Sequence, residues 1–392
     1  MKLILKNIRG DKTLWAIIAL LALFSFLPVY SASSNLANLY GRNTFDLLLK
    51  HALHLVLGFG IIYLVHKVKY HRFRGLSFFF LPIVILLLII TIFQGNTIGG
   101  ANASRWIRVP GMGVSFQTST LAAVVLMVYV ARYLAKYNDK SIVFKRSLLE
   151  LWLPVGIVLA LILPANFSTA ALIFSMVLLV VFIGGYPVRY IAIIIGVGVV
   201  ALMLFVLTAK AFPGAFSNRV ETWQSRIENF SNGEDTEEDY QIERAKTAIA
   251  SGKLFGLGPG KSVQKNFLPQ SSSDFIYAII VEEWGVLVGI MILFFYLLML
   301  FRLIMISNKS KSVFGKLLVI GVGLPIIFQA LTNMAVAVEL FPVTGQTLPL
   351  ISSGGTSIWM TCLAFGIILS VSSGYNKSNK NSSPLDALEK VV

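Results

Sequence analysis

The stretch LPQSSSDFIYAIIVEEWGVLVGIMILFFYLLMLF, Leu268–Phe301, contains an apolar run that is long enough to cross a membrane. A helix rises about 1.5 Å per residue, so roughly 20 apolar residues cross a hydrocarbon core of ~30 Å. The same stretch carries Asp274 at the start of the run and Glu282 and Glu283 inside it. Charges at that depth are costly and normally face an interior partner or a cavity. The stretch therefore predicts a membrane helix whose carboxylates have a structural or chemical role.

The composition of the whole chain also favours a membrane protein. Of its 392 residues, 56% are hydrophobic and 13% are charged, which is too apolar for an ordinary soluble protein of this size. The formal charge of +15 does not indicate nucleic acid, because the lysines and arginines lie between apolar segments. Cys362 is the only cysteine, and the four histidines lack metal-ligand spacing. A disulfide framework is therefore excluded, and a transition-metal enzyme is disfavoured.

Apolar runs of spanning length recur along the chain and predict an all-α polytopic membrane protein with about ten transmembrane helices. The first run lacks a small-residue cleavage site, so we expect a retained helix and no cleavable signal peptide. The predicted spans lie near residues 14–30, 44–65, 77–94, 115–135, 148–164, 167–184, 189–210, 275–301, 316–338 and 356–373.

Positive residues give the orientation of these spans. Most of the 33 lysines and arginines lie at the termini and in alternate connections, a bias that marks the cytoplasmic side. We therefore expect an N-in and C-in topology with one long outer loop, about 211–273, between helices 7 and 8. Residues 1–375 are predicted to form the transmembrane domain, and the polar segment 376–392 is predicted to be a disordered cytoplasmic tail.

The long outer loop has an acidic part and a patterned part. Its acidic run EDTEED, 234–239, is typical of a solvated linker. In QIERAKTAIASGKLFGLGPG, Gln241–Gly260, apolar residues recur at helical spacing before a glycine-rich turn. This pattern predicts a short amphipathic helix that leads into a shaped loop just above the membrane.

A second outer segment, GGANASRWIRVPGMGVSFQTST, Gly99–Thr120, breaks regular structure with glycines and a proline. Arginine at an outer interface runs against the orientation rule, which favours an anionic partner. A belt tryptophan with two snorkelling arginines fits the same pattern, and the residues leave both interpretations open. The candidate binding residues of this segment are Arg105, Trp106, Arg108, Gln117 and Ser119.

A third outer segment, NMAVAVELFPVTGQTLPLISSGGTS, Asn333–Ser357, combines prolines and glycines with an apolar composition. Such a backbone is tolerated at membrane depth only where it is buried in protein or lines a cavity. Ser352, Ser353, Gly354 and Gly355 precede the tenth span, so their N–H groups are expected at a helix N-terminus. Phosphate binding and ordinary helix capping explain this motif equally well.

Asp274 has two interpretations on local sequence. It follows three serines and precedes an apolar run, so it can be an N-terminal cap or a first-turn residue that complements the helix dipole. It can equally be a general base at the membrane surface. Glu282 and Glu283 lie about 12–13.5 Å deeper along a helix. We expect them to pair with a basic group or to hold a loop.

Four ordered motifs resemble the SEDS family, the shape, elongation, division and sporulation proteins that include FtsW and RodA. RWIRVPGMGVSFQTS is similar to the family's arginine-tryptophan loop, and AIASGKLFGLGPG is similar to its glycine-rich loop. LPQSSSDFIYAIIVEEWG resembles the stretch that carries the family's essential aspartate, which falls on Asp274. NMAVAVELFPVTGQTLPLISSGGTS resembles the signature that precedes the last helix. Thr118, Thr120 and Asn166 depart from the family pattern.

The resemblance implies a peptidoglycan glycosyltransferase with an active site on the outer face of the bacterial cytoplasmic membrane. Its expected substrate is lipid II, and its expected partners are a class B penicillin-binding protein and division-complex membrane proteins. Asp274 would be the general base, and a divalent cation could assist at the pyrophosphate, although no residue pattern fixes a metal site. The expected substrate-binding residues are Arg105, Trp106, Arg108, Gln117, Ser119, Lys261, Thr344, Ser352, Ser353, Gly354 and Gly355, with Glu282, Glu283 and Asn333 as supporting residues.

Rival functions are a lipid II flippase or other transporter, and a non-catalytic scaffold. Intramembrane carboxylates and broken helices also suit proton-coupled transport. The predicted polar residues, however, gather at the outer face, which favours chemistry at a surface. Within the family, GQTLPLISSGGTS and the threonine-rich start of the fourth helix are closer to FtsW-like members, which favours division over RodA-type elongation.

Overall fold

Helices make up most of the computed structural model, which describes residues 9–380 except 40–42, 95–96, 99–100, 103–105, 109–114, 139–141, 212–236 and 270. In chain order they are α1 (Lys12–Phe24), α2 (Phe26–Leu39), α3 (Thr44–Val65), α4 (His71–Gln94), α5 (Thr118–Lys136), α6 (Phe144–Ser147), α7 (Leu153–Ile162), α8 (Phe167–Ile183), α9 (Val188–Ala211), α10 (Glu237–Gly252), α11 (Ile276–Lys309), α12 (Val313–Ala337) and α13 (Thr356–Lys380).

Short irregular elements complete the chain. A π-helical turn, Leu148–Trp152, joins α6 to α7, and a 3-10 turn covers Gln264–Asn266. Two antiparallel strand pairs lie between α4 and α5. They are β1 (Thr97–Ile98) with β2 (Ala101–Asn102), and β3 (Trp106–Arg108) with β4 (Ser115–Gln117).

The predicted polytopic helical architecture is confirmed. Among the described residues, eight helical segments are long and apolar enough to cross a membrane, with α1 and the first part of α2 counted together as Lys12–Ser34. The predicted spans at 148–164 and 167–184 correspond to shorter helical segments, namely α6 and α7 with their π-helical turn, and α8. The first predicted span corresponds to α1 and α2, which meet at Ser25.

The structure describes only part of two predicted segments, the long loop and the C-terminal tail. Residues 212–236 of the long loop lie outside the described part, but α10 forms where amphipathic spacing predicted a short helix, with Ile242, Ala245 and Ala248 buried. At the C-terminus α13 continues to Lys380, past the predicted start of the tail at residue 376. Residues 381–392 lie outside the described part.

The core of the bundle lies around α5, α11, α12 and α13, whose buried side chains form one continuous apolar cluster. Both ends of α11 are fixed to neighbouring elements. At the end that is predicted to face inward, Arg302 donates to Asp11, whose Oδ1 also accepts from the Leu14 N–H at 2.8 Å and so caps α1. At the other end α11 meets the loop that follows α10.

Candidate active site

Three separate segments meet at one end of the bundle. The Ser352 hydroxyl donates to the Ser273 carbonyl at 2.6 Å, and the Ser353 N–H donates to the Ser272 carbonyl at 2.9 Å. The Gln117 N–H donates to the Thr356 hydroxyl at 3.2 Å. These bonds join the loop before α13 to the loop before α11 and to strand β4. The three segments that the sequence predicted as outer polar segments therefore meet at this end of the bundle.

Asp274 lies at the junction between its loop and α11. It is half-buried, and Phe275, which is 1% exposed, follows it at the N-cap position of α11. The N-cap residue makes no side-chain capping bond, and the first turn of α11 contains no acidic residue. Asp274 therefore lies one residue before the N-cap position of α11.

Asn333 fixes the backbone at Asp274. Its side chain is 1% exposed, and its Nδ2 donates to the carbonyls of Asp274 and Gln346, both at 2.7 Å. Gln346 in turn donates to the Thr169 hydroxyl at 2.9 Å. Through this one amide, α12 holds the Asp274 loop against the loop before α13.

Glu282 organises the loop that precedes Asp274. Its side chain is 1% exposed, and one carboxylate oxygen accepts from the N–H groups of Val263 at 2.9 Å and Gln264 at 3.3 Å. The other oxygen accepts a short hydrogen bond from the Ser262 hydroxyl. A carboxylate that accepts from the start of a helical turn satisfies donors that the turn itself leaves unpaired. Glu282 therefore caps the 3-10 turn.

Glu283 ties the same loop to α2. It is fully buried, and its Oε1 accepts from the Ser31 hydroxyl and from the Ser262 N–H at 3.3 Å. Lys265 donates to the Ser31 hydroxyl at 3.1 Å and to the Gly260 carbonyl at 2.8 Å. The two buried glutamates therefore bond to this loop from α11.

A break in α11 lies directly below these carboxylates. Gly285 has φ 82° and ψ 169°, which interrupts the helical backbone. The N–H groups of Leu257 and Gly258 donate to the carbonyls of Glu282 and Glu283, both at 2.9 Å. On the other side of the break, the Val286 N–H donates to the Lys253 carbonyl at 2.9 Å. The loop thus pairs with the backbone groups that the helix leaves open.

Glycines allow this close approach of two backbones. A Cβ on Gly256 would overlap the Glu283 carbonyl, and a Cβ on Gly285 would overlap the Leu254 carbonyl. Both residues also have positive φ, which side chains disfavour. The loop after α10 can therefore pack on α11 only because glycines occupy these positions.

The predicted anion site before α13 needs a correction. The Ser352 N–H donates to the Leu348 carbonyl and the Ser353 N–H to the Ser272 carbonyl, each at 2.9 Å. Both N–H groups are therefore bonded to backbone carbonyls of the protein and are not directed outward to an anion. The expected anion site narrows to the N–H groups of Gly354 and Gly355, just before α13.

The other predicted binding residues differ in how far they are exposed. Trp106, Gln117 and Thr344 are half-buried, and Lys261 is exposed beside Gly258. Ser119 is 6% exposed, and its hydroxyl lacks a hydrogen-bond partner among the described residues. Arg105 and the side chain of Arg108 lie outside the described part. No group of three His, Cys, Asp or Glu side chains that could hold a metal ion occurs within the described ranges.

Residues that depart from the family pattern have local structural roles. Asn166 caps α8 by accepting from the Thr169 N–H at 3.2 Å. The Thr120 hydroxyl donates to the Gln117 carbonyl at 2.8 Å, and the Thr118 hydroxyl lies 3.0 Å from that of Thr91. These polar side chains are therefore satisfied without a charged partner.

Sequence reasoning missed several residues that support the site. Ser31, Ser262, Lys265 and Gln346 link the Asp274 loop to the rest of the bundle. Ser31 belongs to the polar run that ends the first apolar segment, but nothing local pairs it with a glutamate more than 250 residues later. Only the fold brings these groups together.

The chain is similar to known proteins along nearly its whole length. The family model of FtsW, RodA and SpoVE, described as cell cycle protein, matches residues 11–377. A relative from Geobacter sulfurreducens, named probable peptidoglycan glycosyltransferase FtsW, is 32% identical over 371 residues, which cover 93% of this chain and 95% of that protein.

Two solved structures are also similar. One is a chain whose structure is described as showing the structural coordination of polymerization and crosslinking by a peptidoglycan synthase complex. Its TM-score is 0.71 and its sequence identity 26%, and the match covers 93% of this chain and 98% of that one. The other is the rod shape determining protein RodA of Thermus thermophilus, with a TM-score of 0.65, 26% identity, and coverage of 92% and 96%.

Substitution of Gly256 by alanine is expected to destabilise the protein more than the same change at Gly260. Both glycines have positive φ, so each change costs about 1–2 kcal/mol in backbone strain. A Cβ on Gly260 meets open space, whereas one on Gly256 overlaps a backbone carbonyl, which adds roughly 1–3 kcal/mol. Thermal unfolding midpoints of the two detergent-solubilised variants provide the comparison. Equal midpoints would show that the loop does not dock closely on α11.

Proposed function

Because the chain belongs to the FtsW/RodA/SpoVE family of cell cycle proteins, we propose that it is a peptidoglycan glycosyltransferase that polymerises lipid II. The observation that carries this proposal is the position of Asp274, whose backbone Asn333 fixes against the loop before α13 at Gln346. The relative named as a probable peptidoglycan glycosyltransferase covers nearly the whole chain, which supports the same reaction here.

In the proposed reaction, the 4-hydroxyl of an acceptor N-acetylglucosamine attacks C1 of a lipid-linked N-acetylmuramic acid. The new C1–O bond forms as the bond from C1 to the pyrophosphate oxygen breaks, with inversion at C1. Asp274 accepts the hydroxyl proton, and undecaprenyl pyrophosphate leaves with the electron pair. A hydroxyl is a weak nucleophile at neutral pH, and a positioned base contributes roughly 10²–10⁴ in rate.

The leaving pyrophosphate needs positive partners because negative charge develops on it. Lys261 is exposed on the loop that Glu282 caps, and the Gly354 and Gly355 N–H groups lie at the start of α13. We assign these groups to the pyrophosphate. Arg105 and Arg108 stay predictions from sequence for the same role. Trp106, Gln117, Ser119 and Thr344 are proposed contacts for the sugars and the peptide.

The location and partners follow from the same assignment. Asp274 and the glycines before α13 lie at the bundle end that the lysine and arginine distribution predicts to face outward. We therefore place the reaction at the outer face of the bacterial cytoplasmic membrane. The similarity to a chain from a peptidoglycan synthase complex supports a class B penicillin-binding protein as the partner. Division-complex membrane proteins are proposed as further partners.

Asp274→Asn is expected to lower lipid II polymerisation by at least about 10²-fold, because asparagine keeps the size of the side chain but cannot accept the proton. Polymerisation of labelled lipid II by the protein with its transpeptidase partner measures this loss. The matched control is Asp46→Asn, which changes an exposed aspartate in the first turn of α3 and is expected to leave the rate unchanged. Wild-type activity in a correctly inserted Asp274→Asn protein would refute the assignment of the base.

Within the family we propose a role in division, because the Geobacter relative carries the FtsW name. Depletion is then expected to give filamentous cells that grow but do not divide. Microscopy of depleted cells measures this outcome. Rounded cells of increased width would instead assign the protein to elongation.

A further inference from the structure

The exposed surface changes character abruptly after α10. On α10 the exposed side chains include Glu243, Lys246 and Thr247, which suit water. In the following segment, Lys253–Gly258, named the tip, Leu254 is 58% exposed, Phe255 80% and Leu257 42%. Adjacent large apolar side chains that are this exposed indicate an apolar environment around the tip.

The tip lies level with the upper edge of the apolar outer face of α11. Its backbone is bonded to α11 just below the break, since the Leu287 N–H donates to the Leu254 carbonyl at 3.4 Å. Above the break, residues 278–283 of α11 are buried in the protein. Below it, exposed apolar side chains begin with Leu287 at 49% and continue to Ile290 at 56%, Phe294 at 57% and Phe301 at 55%.

The length of α11 places the membrane boundary at the same level. This helix has 34 residues, and at about 1.5 Å per residue it extends roughly 50 Å, well beyond the ~30 Å of a hydrocarbon core. A stretch of about 20 residues that starts at Leu287 ends near Ser307, just before Lys309. The helical turns above Gly285 therefore rise out of the hydrocarbon, and the tip lies at its edge.

We propose that the tip is a membrane anchor that enters the boundary between acyl chains and headgroups, in the leaflet on the Asp274 side. Leu254, Phe255 and Leu257 lie among the acyl chains, and the exposed Lys253 lies with the headgroups, as is usual for interfacial segments. The anchor fixes the height of the docked loop, and with it that of Asp274, relative to the hydrocarbon edge.

Spin-label depth measurements in lipid nanodiscs test this anchor without any need for enzymatic activity. Because Cys362 is the only cysteine and is buried, Cys362→Ala gives a background for single labels. Labels are attached in the variants Phe255→Cys, Glu243→Cys and Phe294→Cys. Collision rates with oxygen, which dissolves in lipid, and with a water-soluble nickel chelate are then compared at each position.

The label at position 255 is expected to have an oxygen-to-nickel collision ratio several-fold higher than that at 243 and lower than that at 294. Leu257→Cys provides a second tip position, and its label should agree with that at 255. The proposal would be overturned if the labels at both tip positions collided with nickel as often as the label at 243, while the label at 294 kept a high oxygen-to-nickel ratio. The tip would then be a surface for a protein partner.

Discussion

The structure of the site depends on the break of α11 at Gly285 and on the loop that pairs with it. A helix that is interrupted beside a membrane leaves N–H and C=O groups unpaired, and such groups cost several kcal/mol in an apolar environment. Residues 253–258 supply the missing partners through their own backbone, and glycines at 256 and 285 allow the two chains to approach. The start of the loop that leads to Asp274 is therefore held on α11.

The carboxylates of Glu282 and Glu283 lie inside an apolar run because donors from other segments reach them. Burial of a carboxylate is costly unless hydrogen-bond donors replace water. Glu282 receives two backbone N–H groups and the Ser262 hydroxyl, and Glu283 receives the Ser31 hydroxyl and the Ser262 N–H. Because these donors belong to the loop and to α2, the two carboxylates hold both segments against α11. Asn333 then fixes the end of the loop by donating to the Asp274 carbonyl.

Much of the fold was predictable because long apolar runs and helical spacing are local signals. The positions of the spans and of α10 follow from such signals, and so does the gathering of polar segments at one end. The break at Gly285 was not predictable, since the run around it favours a continuous helix and the loop that opens it lies about 30 residues earlier. The contact between Ser31 and Glu283 depends on tertiary structure alone, as does the use of the Ser352 and Ser353 N–H groups by nearby carbonyls.

Hydrogen exchange in Glu282→Ala tests most directly whether the buried carboxylates hold the loop that carries Asp274. Loss of charge-assisted bonds of about 1.5–3 kcal/mol should speed exchange at the Val263 and Gln264 amides by about 10- to 100-fold, while the amides of α12 keep their protection. Glu243→Ala, which removes an exposed carboxylate from α10, should leave these amides unchanged. Unaltered protection of residues 262–266 in Glu282→Ala would contradict the account.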